Sequence, residues 1–197
     1  MEEKAQATSR RRRGPRKLTV QSLENAALHY LERFASSSAN LRRVMMRRVA
    51  RSAEVHGTDR AEGERLVDAL IQRYVAAGLI DDRLYAAQKA ASLSRRGASR
   101  YAIKGKLAQK GVGKDLINGA LDELDEADGA SELAAACALA RRRRLGPYRP
   151  VEERVAQRRK DLATYARAGF SLDVARRVLD APDPQALEAL ARGEEDA

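Results

Sequence analysis

Two adjacent acidic residues are the feature of this sequence that most suggests chemistry. Asp81 and Asp82 follow Gly78 and the apolar pair Leu79–Ile80, which we expect to be buried as the chain turns. Paired carboxylates can bind a metal ion or share the roles of acid and base. A structural role explains both aspartates if one helix ends at Gly78 and a new helix follows. Asp81 can then cap the new helix, and the charge of Asp82 offsets its dipole. We therefore favour a structural role and keep a metal-dependent nuclease as the weakest functional alternative.

The other residues that could support catalysis lack the partners that catalysis requires. His29 and His56 show no zinc-binding spacing, and Cys137 lies in the segment LAAACALA, where a buried small side chain is expected. The segment GVGK at Gly111–Lys114 superficially resembles a phosphate loop, but Ala108 stands where the first glycine is required. We predict that the protein is not an enzyme and needs no cofactor or metal.

The charge balance points to a binding function. The 197 residues include 38 Lys and Arg against 28 Asp and Glu, a formal net charge of +10, which favours a polyanion or an acidic protein surface as partner. The single cysteine excludes an internal disulfide bond. The sequence shows no apolar run of membrane-spanning length and no leader pattern. We therefore expect a monomeric, cytoplasmic protein that does not contact membranes.

Composition also predicts the fold class. Aromatic residues make up 4% of the chain and prolines number five, whereas Arg, Ala and Leu are abundant. This profile is typical of helices rather than strands, and apolar residues recur at helical spacing along most of the chain. We predict an all-α fold. The low aromatic content also disfavours a strand platform on which single-stranded nucleic acid stacks its bases.

The helical pattern divides the central part of the chain into repeats. Nine helices are predicted within residues 18–181, and Asp59 and Ser99 are expected to cap two of them. Three helices bury little surface alone, so neighbouring units should stack. We expect an elongated, curved array, right-angled or solenoid-like. The three predicted repeats span about 18–78, 79–125 and 129–181.

Both ends of the chain are predicted to lie outside this array. Residues 1–17 are rich in cations and show no apolar periodicity, which predicts a disordered basic arm. Pro182 and Pro184 are predicted to close the last helix. Residues 182–197 are then predicted to form a disordered acidic tail.

An internal repeat supports the division. Sliding Lys106–Asp122 onto Thr164–Asp180 aligns Gly111 with Gly169 and places an apolar residue after each glycine. Both segments therefore predict a helix, a glycine that ends it, a buried apolar residue and a second helix.

Clusters of cations are the main candidates for contact with a partner. One charged helix face is usually only a solvated surface, but several clusters occur together here. Nothing resembles a base-reading helix, so we expect salt-dependent contacts with single- and double-stranded DNA, without sequence preference. The predicted partner-facing residues are Arg95, Arg96, Arg100, Lys104, Lys110, Arg141, Arg142 and Arg158.

Three segments of the sequence resemble one known family. They are GLIDDRLYA at 78–86, SRRGASRYAIKGKLAQKGV at 94–112 and ARAGFSLDVARRVL at 166–179. In this order, the motifs resemble those of the RecX family, the regulators of the RecA recombinase.

The resemblance implies both a fold and a partner. It implies three tandem three-helix repeats that lie in the helical groove of a RecA filament on DNA. Binding there would limit filament extension and suppress strand exchange, ATP hydrolysis by RecA and its co-protease activity, without catalysis or a cofactor of its own. The alternative is a general helical protein that binds DNA or RNA and acts by competing for nucleic acid.

Matched position by position, most of the family pattern falls on residues that we interpret as architecture, with glycines as turns, aspartates as caps and a tyrosine as packing. Two departures from the pattern stand out. Lys106 replaces an acidic residue, and Gly105 lies inside a helix, where it costs about 1 kcal/mol relative to alanine. The architectural residues are Gly78, Asp81, Asp82, Tyr85, Gly111 and Gly169.

Overall fold

The computed structural model describes residues 17–126 and 132–192, and this part of the chain is all-α, as predicted. It contains ten α-helices and one short 3₁₀ helix, and no strand. The α-helices are α1 Val20–Leu31, α2 Ser38–His56, α3 Arg60–Ala76, α4 Asp82–Arg95, α5 Arg100–Gln109, α6 Lys114–Glu126, α7 Glu132–Arg143, α8 Val151–Ala168, α9 Leu172–Leu179 and α10 Pro184–Ala191, and the 3₁₀ helix is Gly146–Tyr148.

Side-chain caps set where several helices begin. The Asp59 carboxylate accepts a hydrogen bond from the Ala61 backbone N–H at the start of α3. Asp81 and Ser99 do the same for the third residues of α4 and α5. Each cap satisfies a backbone donor that has no partner inside its helix. The predicted capping roles of Asp59, Asp81 and Ser99 are therefore confirmed.

The two aligned segments of the internal repeat adopt the same turn. Gly111 donates its backbone N–H to the Ala108 carbonyl oxygen at 2.8 Å, and Gly169 donates to Ala166 at 3.0 Å. The apolar residue that follows each glycine donates in turn to a carbonyl of the preceding helix, and both apolar side chains are buried. The local repeat is real, while the stacking of three units into an array stays a prediction.

The described chain forms two compact units. The first comprises residues 17–35 and 41–77 and contains α1, most of α2, and α3. Arg42 of α2 forms ion pairs with Glu64 and Asp68 of α3, each at 2.6 Å, and these pairs favour the charged form and raise the pKa of the Arg42 guanidinium. The buried side chains of this unit include Leu23, Leu41, Met45, Val49, Val67, Leu70 and Tyr74.

The second unit comprises residues 36–40 and 78–192 and has two buried apolar clusters. One lies among α4, α5 and α6, and includes Tyr85, buried as expected. The other lies among α7, α8, α9 and α10. Beside the second cluster, the Asp161 carboxylate is 2% exposed and accepts two hydrogen bonds from Arg149 and one from the Gly146 backbone. This buried pair fixes the 3₁₀ segment, because either charge alone would be costly to bury.

The prediction of a disordered tail over 182–197 is wrong for Pro184–Ala191, which form α10. Asp183 accepts a hydrogen bond from the Ala186 backbone N–H, and Pro184 occupies the first turn, where its missing N–H costs nothing. Leu187 is 1% exposed and packs in the second apolar cluster. The prolines were interpreted as helix breakers, whereas Pro184 begins a helix.

Two further predictions concern the pair Leu79–Ile80 and the two ends of the chain. Ile80 is buried as predicted, but Leu79 is 56% exposed, so its predicted burial is wrong. Residues 193–197 and almost all of the basic arm at 1–17 lie outside the described residues. Within the described ranges, no helix combines the length and the apolar character needed to cross a membrane.

Candidate nucleic-acid interface

The turn that follows α4 packs against α7 through a glycine. Gly97 follows α4 with φ +78, and a Cβ atom placed on it would lie 2.6 Å from the backbone nitrogen of Leu139 and 3.0 Å from the carbonyl oxygen of Ala135. Both of those residues belong to α7. Because a real Cβ is not tolerated that close to backbone atoms, only glycine lets the turn rest against α7.

This contact brings together cations that are far apart in the sequence. Arg95 is the last residue of α4, and Arg96 follows it. Arg142, near the end of α7, donates a hydrogen bond from Nη1 to the Arg96 carbonyl oxygen at 2.5 Å. We call the exposed arginines at the ends of these two helices the basic cluster, and its members are Arg95, Arg96, Arg141, Arg142, Arg143 and Arg144. The contact between the two helix ends is made by Arg142, whereas Arg141 lies on the side of α7 that faces α10.

The charges of the basic cluster are not neutralised within the described chain. Arg142 donates to a backbone carbonyl, and no carboxylate among the described residues pairs with any member. The helix C-terminal dipoles of α4 and α7 offset part of the positive charge. Adjacent guanidinium groups without carboxylate partners repel one another, so this arrangement favours an anionic partner that carries phosphates or carboxylates.

Other predicted contact residues are already engaged inside the fold. Arg100 pairs with Asp122 and Asp125 and also donates to the Leu121 carbonyl oxygen. Arg158 pairs with Asp180 at 2.5 Å, which raises the pKa of the Arg158 guanidinium. These two arginines are less available to a partner than the members of the basic cluster.

The two predicted lysines differ in the same way. Lys110 places its Nζ 3.4 Å from the Asn40 side-chain oxygen, and its carbonyl oxygen accepts a hydrogen bond from the Ser37 hydroxyl at 2.6 Å. Lys104 is exposed on α5, with no partner among the described residues. Lys104 is therefore the freer of the two to meet a ligand.

The aspartate pair divides into two structural roles. Asp81 caps α4 through the Leu84 backbone N–H at 2.9 Å. Asp82 accepts hydrogen bonds from the backbone N–H and the hydroxyl of Ser38, at 2.7 and 2.5 Å. Asp82 thus satisfies a donor at the first residue of α2 as well as lying in the first turn of α4. Sequence reasoning missed this contact, because the serine run at 36–38 predicts only a turn between two helices and does not identify its partner.

Groups with catalytic potential are sparse in the described residues. Within 17–126 and 132–192, no three His, Cys, Asp or Glu side chains gather as a possible metal site. Cys137 is 5% exposed, and burial raises the pKa of its thiol to about 11. Because the thiolate is the nucleophile, this cysteine is unreactive at neutral pH. The prediction that Cys137 is buried is confirmed.

Comparison with known proteins agrees with this helical architecture. A family model described as RecX, second three-helix domain, matches residues 81–121, which run from the cap of α4 into α6. A protein named Regulatory protein RecX from Myxococcus xanthus is 44% identical, with 84% of this chain and 88% of the relative covered. One of the same name from Agrobacterium fabrum is 30% identical, with 84% and 86% covered.

A third relative gives a shorter match. Regulatory protein RecX from Thermobifida fusca is 32% identical over 59% of this chain and 60% of its own length. No solved structure matches the chain significantly. The matches to the first two relatives extend over most of both chains, and the family motifs lie on the turns and caps described above, so the chain belongs to the RecX family of regulatory proteins.

Proposed function

We propose that this protein regulates the RecA recombinase by binding RecA filaments on DNA and limiting their extension. Strand exchange, ATP hydrolysis by RecA and its co-protease activity would fall as a result. The observation that carries the proposal is the 44% identity to a regulatory protein RecX over 84% of the chain. The protein would act by occupying the filament groove, without catalysis or a cofactor.

The basic cluster supplies the chemistry of the proposed contact. Its arginines come from the ends of α4 and α7, which Arg142 links through the Arg96 carbonyl, and they carry several charges without carboxylate partners among the described residues. Such a surface binds phosphates or the carboxylates of an acidic protein face. In this proposal, it faces the DNA backbone or an acidic RecA surface, while Lys104 contributes from α5.

Strand exchange by RecA on fixed DNA tests the proposal. The test variant is the triple substitution Arg95→Glu, Arg141→Glu and Arg143→Glu. It leaves Arg142 in place, because that side chain bonds the Arg96 carbonyl and supports the turn. We expect the wild-type protein to inhibit strand exchange and the variant to require at least tenfold more protein for the same inhibition.

A matched control changes the same amount of charge elsewhere. Arg47, Arg48 and Arg51 on α2 are also exposed and lack a partner among the described residues, and they belong to the first unit. Their joint change to glutamate should leave inhibition within about twofold of wild type, if position rather than net charge matters. Equal losses in the two triple variants would assign the effect to total charge.

The unneutralised arginines also favour the competing explanation that the chain only sequesters DNA. The two mechanisms separate when single-stranded DNA is added in excess to the strand-exchange reaction. Inhibition through RecA filaments should persist, because filaments remain the binding site. Full relief in proportion to the added strand would favour competition for nucleic acid and contradict the proposal.

A further inference from the structure

One aromatic side chain of the second unit is exposed although the fold positions it firmly. Tyr101, the second residue of α5, is 77% exposed. The Ser99 hydroxyl donates to the Ala168 carbonyl oxygen at 2.6 Å, which anchors the start of α5 to the end of α8. A Cβ atom on Gly169 would lie 2.9 Å from Tyr101 Cδ1 and 3.1 Å from its Cβ. The glycine turn therefore supports one side of Tyr101 and leaves most of its surface open.

The surroundings of this ring are positively charged. Helix α5 contains Lys104 and Lys106 and no acidic residue, while its Arg100 is already paired with Asp122 and Asp125 of α6. Lys104 lies three positions after Tyr101, so the two side chains are neighbours on the helix surface. Arg167, in the last turn of α8, lies two residues before Gly169 and donates to the Thr164 hydroxyl oxygen. The exposed ring thus has Lys104 as a neighbour on its own helix, and Arg167 belongs to the helix end that packs against it.

The helix surface next to the ring is also free of bulky groups. Gly105 lies one turn beyond Tyr101, and nothing lies within 4 Å of the position its Cβ would take. Ala108, one further turn along the same face, is exposed. Packing within the described chain therefore does not require a glycine at 105. A flat ligand could approach the Tyr101 ring along this surface without a steric barrier.

We infer that Tyr101 stacks against a nucleobase of single-stranded nucleic acid, with Lys104 and Arg167 contacting the flanking phosphates. This inference rests on the proposed function, since it assumes that the chain meets nucleic acid. An aromatic ring among cations is the combination that single-strand binders use, because every base has a π-face and every linkage has a charge. Bases within a duplex are stacked on each other and do not reach such a ring. The aromatic contact is a single helical residue and needs no strand platform.

A tryptophan at this position provides a direct probe, because the natural chain contains no tryptophan. In Tyr101→Trp, we expect oligo(dT) to quench the tryptophan fluorescence on binding. A duplex of the same length and an abasic single strand, which keeps the phosphates but lacks the bases, should not quench it. Phe34→Trp, an exposed aromatic position in the first unit, is the matched control and should stay unquenched with all three ligands.

Affinity measurements by fluorescence anisotropy complete the test. Tyr101→Ala should raise the Kd for labelled oligo(dT) about tenfold, within the range expected for loss of one stacked base, and leave the Kd for the abasic strand unchanged. Tyr101→Phe keeps the ring and should restore binding. Because the side chain is exposed, all three Tyr101 variants should keep the wild-type far-UV circular dichroism spectrum.

The other possible results either contradict the inference or distinguish its failure from that of the proposed function. Base stacking is overturned if the fluorescence of Tyr101→Trp stays unquenched with bound oligo(dT), or if Tyr101→Ala binds the abasic strand and oligo(dT) with equal losses. If Tyr101→Ala weakens only the inhibition of RecA and leaves oligo(dT) binding unchanged, the ring contacts protein and the inference is wrong. If base stacking is observed while wild-type protein has no effect on strand exchange, the proposed function fails and the inference stands.

Discussion

The turns after α3 and α4 each contain a glycine in a left-handed backbone conformation, but they differ in what surrounds that glycine. Gly78 and Gly97 have φ of +69 and +78, in the left-handed region that favours glycine. Nothing lies within 4 Å of a Cβ placed on Gly78, whereas one on Gly97 would lie 2.6 Å from the Leu139 backbone nitrogen. Backbone conformation alone explains Gly78. Gly97 is also required by a close contact, and that contact brings together the two ends of the basic cluster.

Arg144 provides a third point of comparison. It follows α7 with φ +53 and is the one non-glycine residue with positive φ in the described chain. Its side chain is exposed, and Leu145 after it is buried and donates to the Ala140 carbonyl oxygen, as in a glycine turn. A left-handed turn therefore accepts arginine where the side chain is exposed. Four substitutions test whether contact and conformation make separate contributions.

The largest effect is expected for Gly97→Ala. Left-handed backbone costs alanine about 1–2 kcal/mol, and forcing the α4–α5 turn away from α7 adds a similar amount or more. We expect the free energy of unfolding, measured by urea denaturation, to fall by about 3 kcal/mol. Binding to single-stranded DNA should weaken as well, because Arg95 and Arg96 would move away from α7. A loss no larger than that of Gly78→Ala would mean that the α7 backbone yields easily.

Gly78→Ala isolates the conformational contribution. Because no neighbour lies within 4 Å of the new methyl group, only the left-handed backbone is penalised. The free energy of unfolding should fall by about 1–2 kcal/mol in urea denaturation, with no change in the affinity for DNA. A loss of about 3 kcal/mol or more would contradict the distinction between the two turns.

Gly105→Ala should act in the opposite direction. Gly105 is inside α5 with an ordinary helical backbone and open space around it, so alanine removes the helix penalty without a clash. The free energy of unfolding should rise by about 1 kcal/mol. If the variant is more stable but binds oligo(dT) less well, then a ligand approaches this backbone closely, as the Tyr101 site requires.

The smallest effect is expected for Arg144→Gly. Glycine relieves the left-handed strain but gains conformational freedom when unfolded, so the net increase in stability should be about 0.5 kcal/mol. Loss of one cation should also reduce the slope of log affinity for DNA against log salt by about one, if that arginine contacts a phosphate. Arg143→Gly, at the last residue of α7, is the matched control and should destabilise the fold. Destabilisation by both would show that Arg144 is not strained.

Local sequence signals predicted much of the helical framework. The caps at Asp59, Asp81 and Ser99 follow from short polar side chains placed just before apolar periodicity. The one missed helix, α10, was hidden because Pro184 stands at its first position, where proline is as compatible with a helix start as with a break. The burial of Leu79 is predicted wrongly because an apolar side chain in a turn can point toward the core or toward solvent.

The candidate site was less predictable than the framework. In the sequence, Arg100 and Arg158 cannot be distinguished from the members of the basic cluster. In the structure, their carboxylate partners lie on another helix or just after the end of one. Tyr101 gave no signal in a chain with so few aromatic residues. Its position against Gly169 depends on the packing of α5 against the end of α8.

The sequence by itself determined most of the helices and caps, the glycine turns and the family, because these depend on residues within a few positions of one another or on the ordered motifs. The tertiary structure alone decided which cations are neutralised and which remain available. Ion pairing and backbone contact depend on distances between residues that are far apart along the chain. The periodic spacing of apolar residues does not predict these distances. For this reason, Arg96 and Arg142 are in contact, while Arg100 is already paired with a carboxylate of α6.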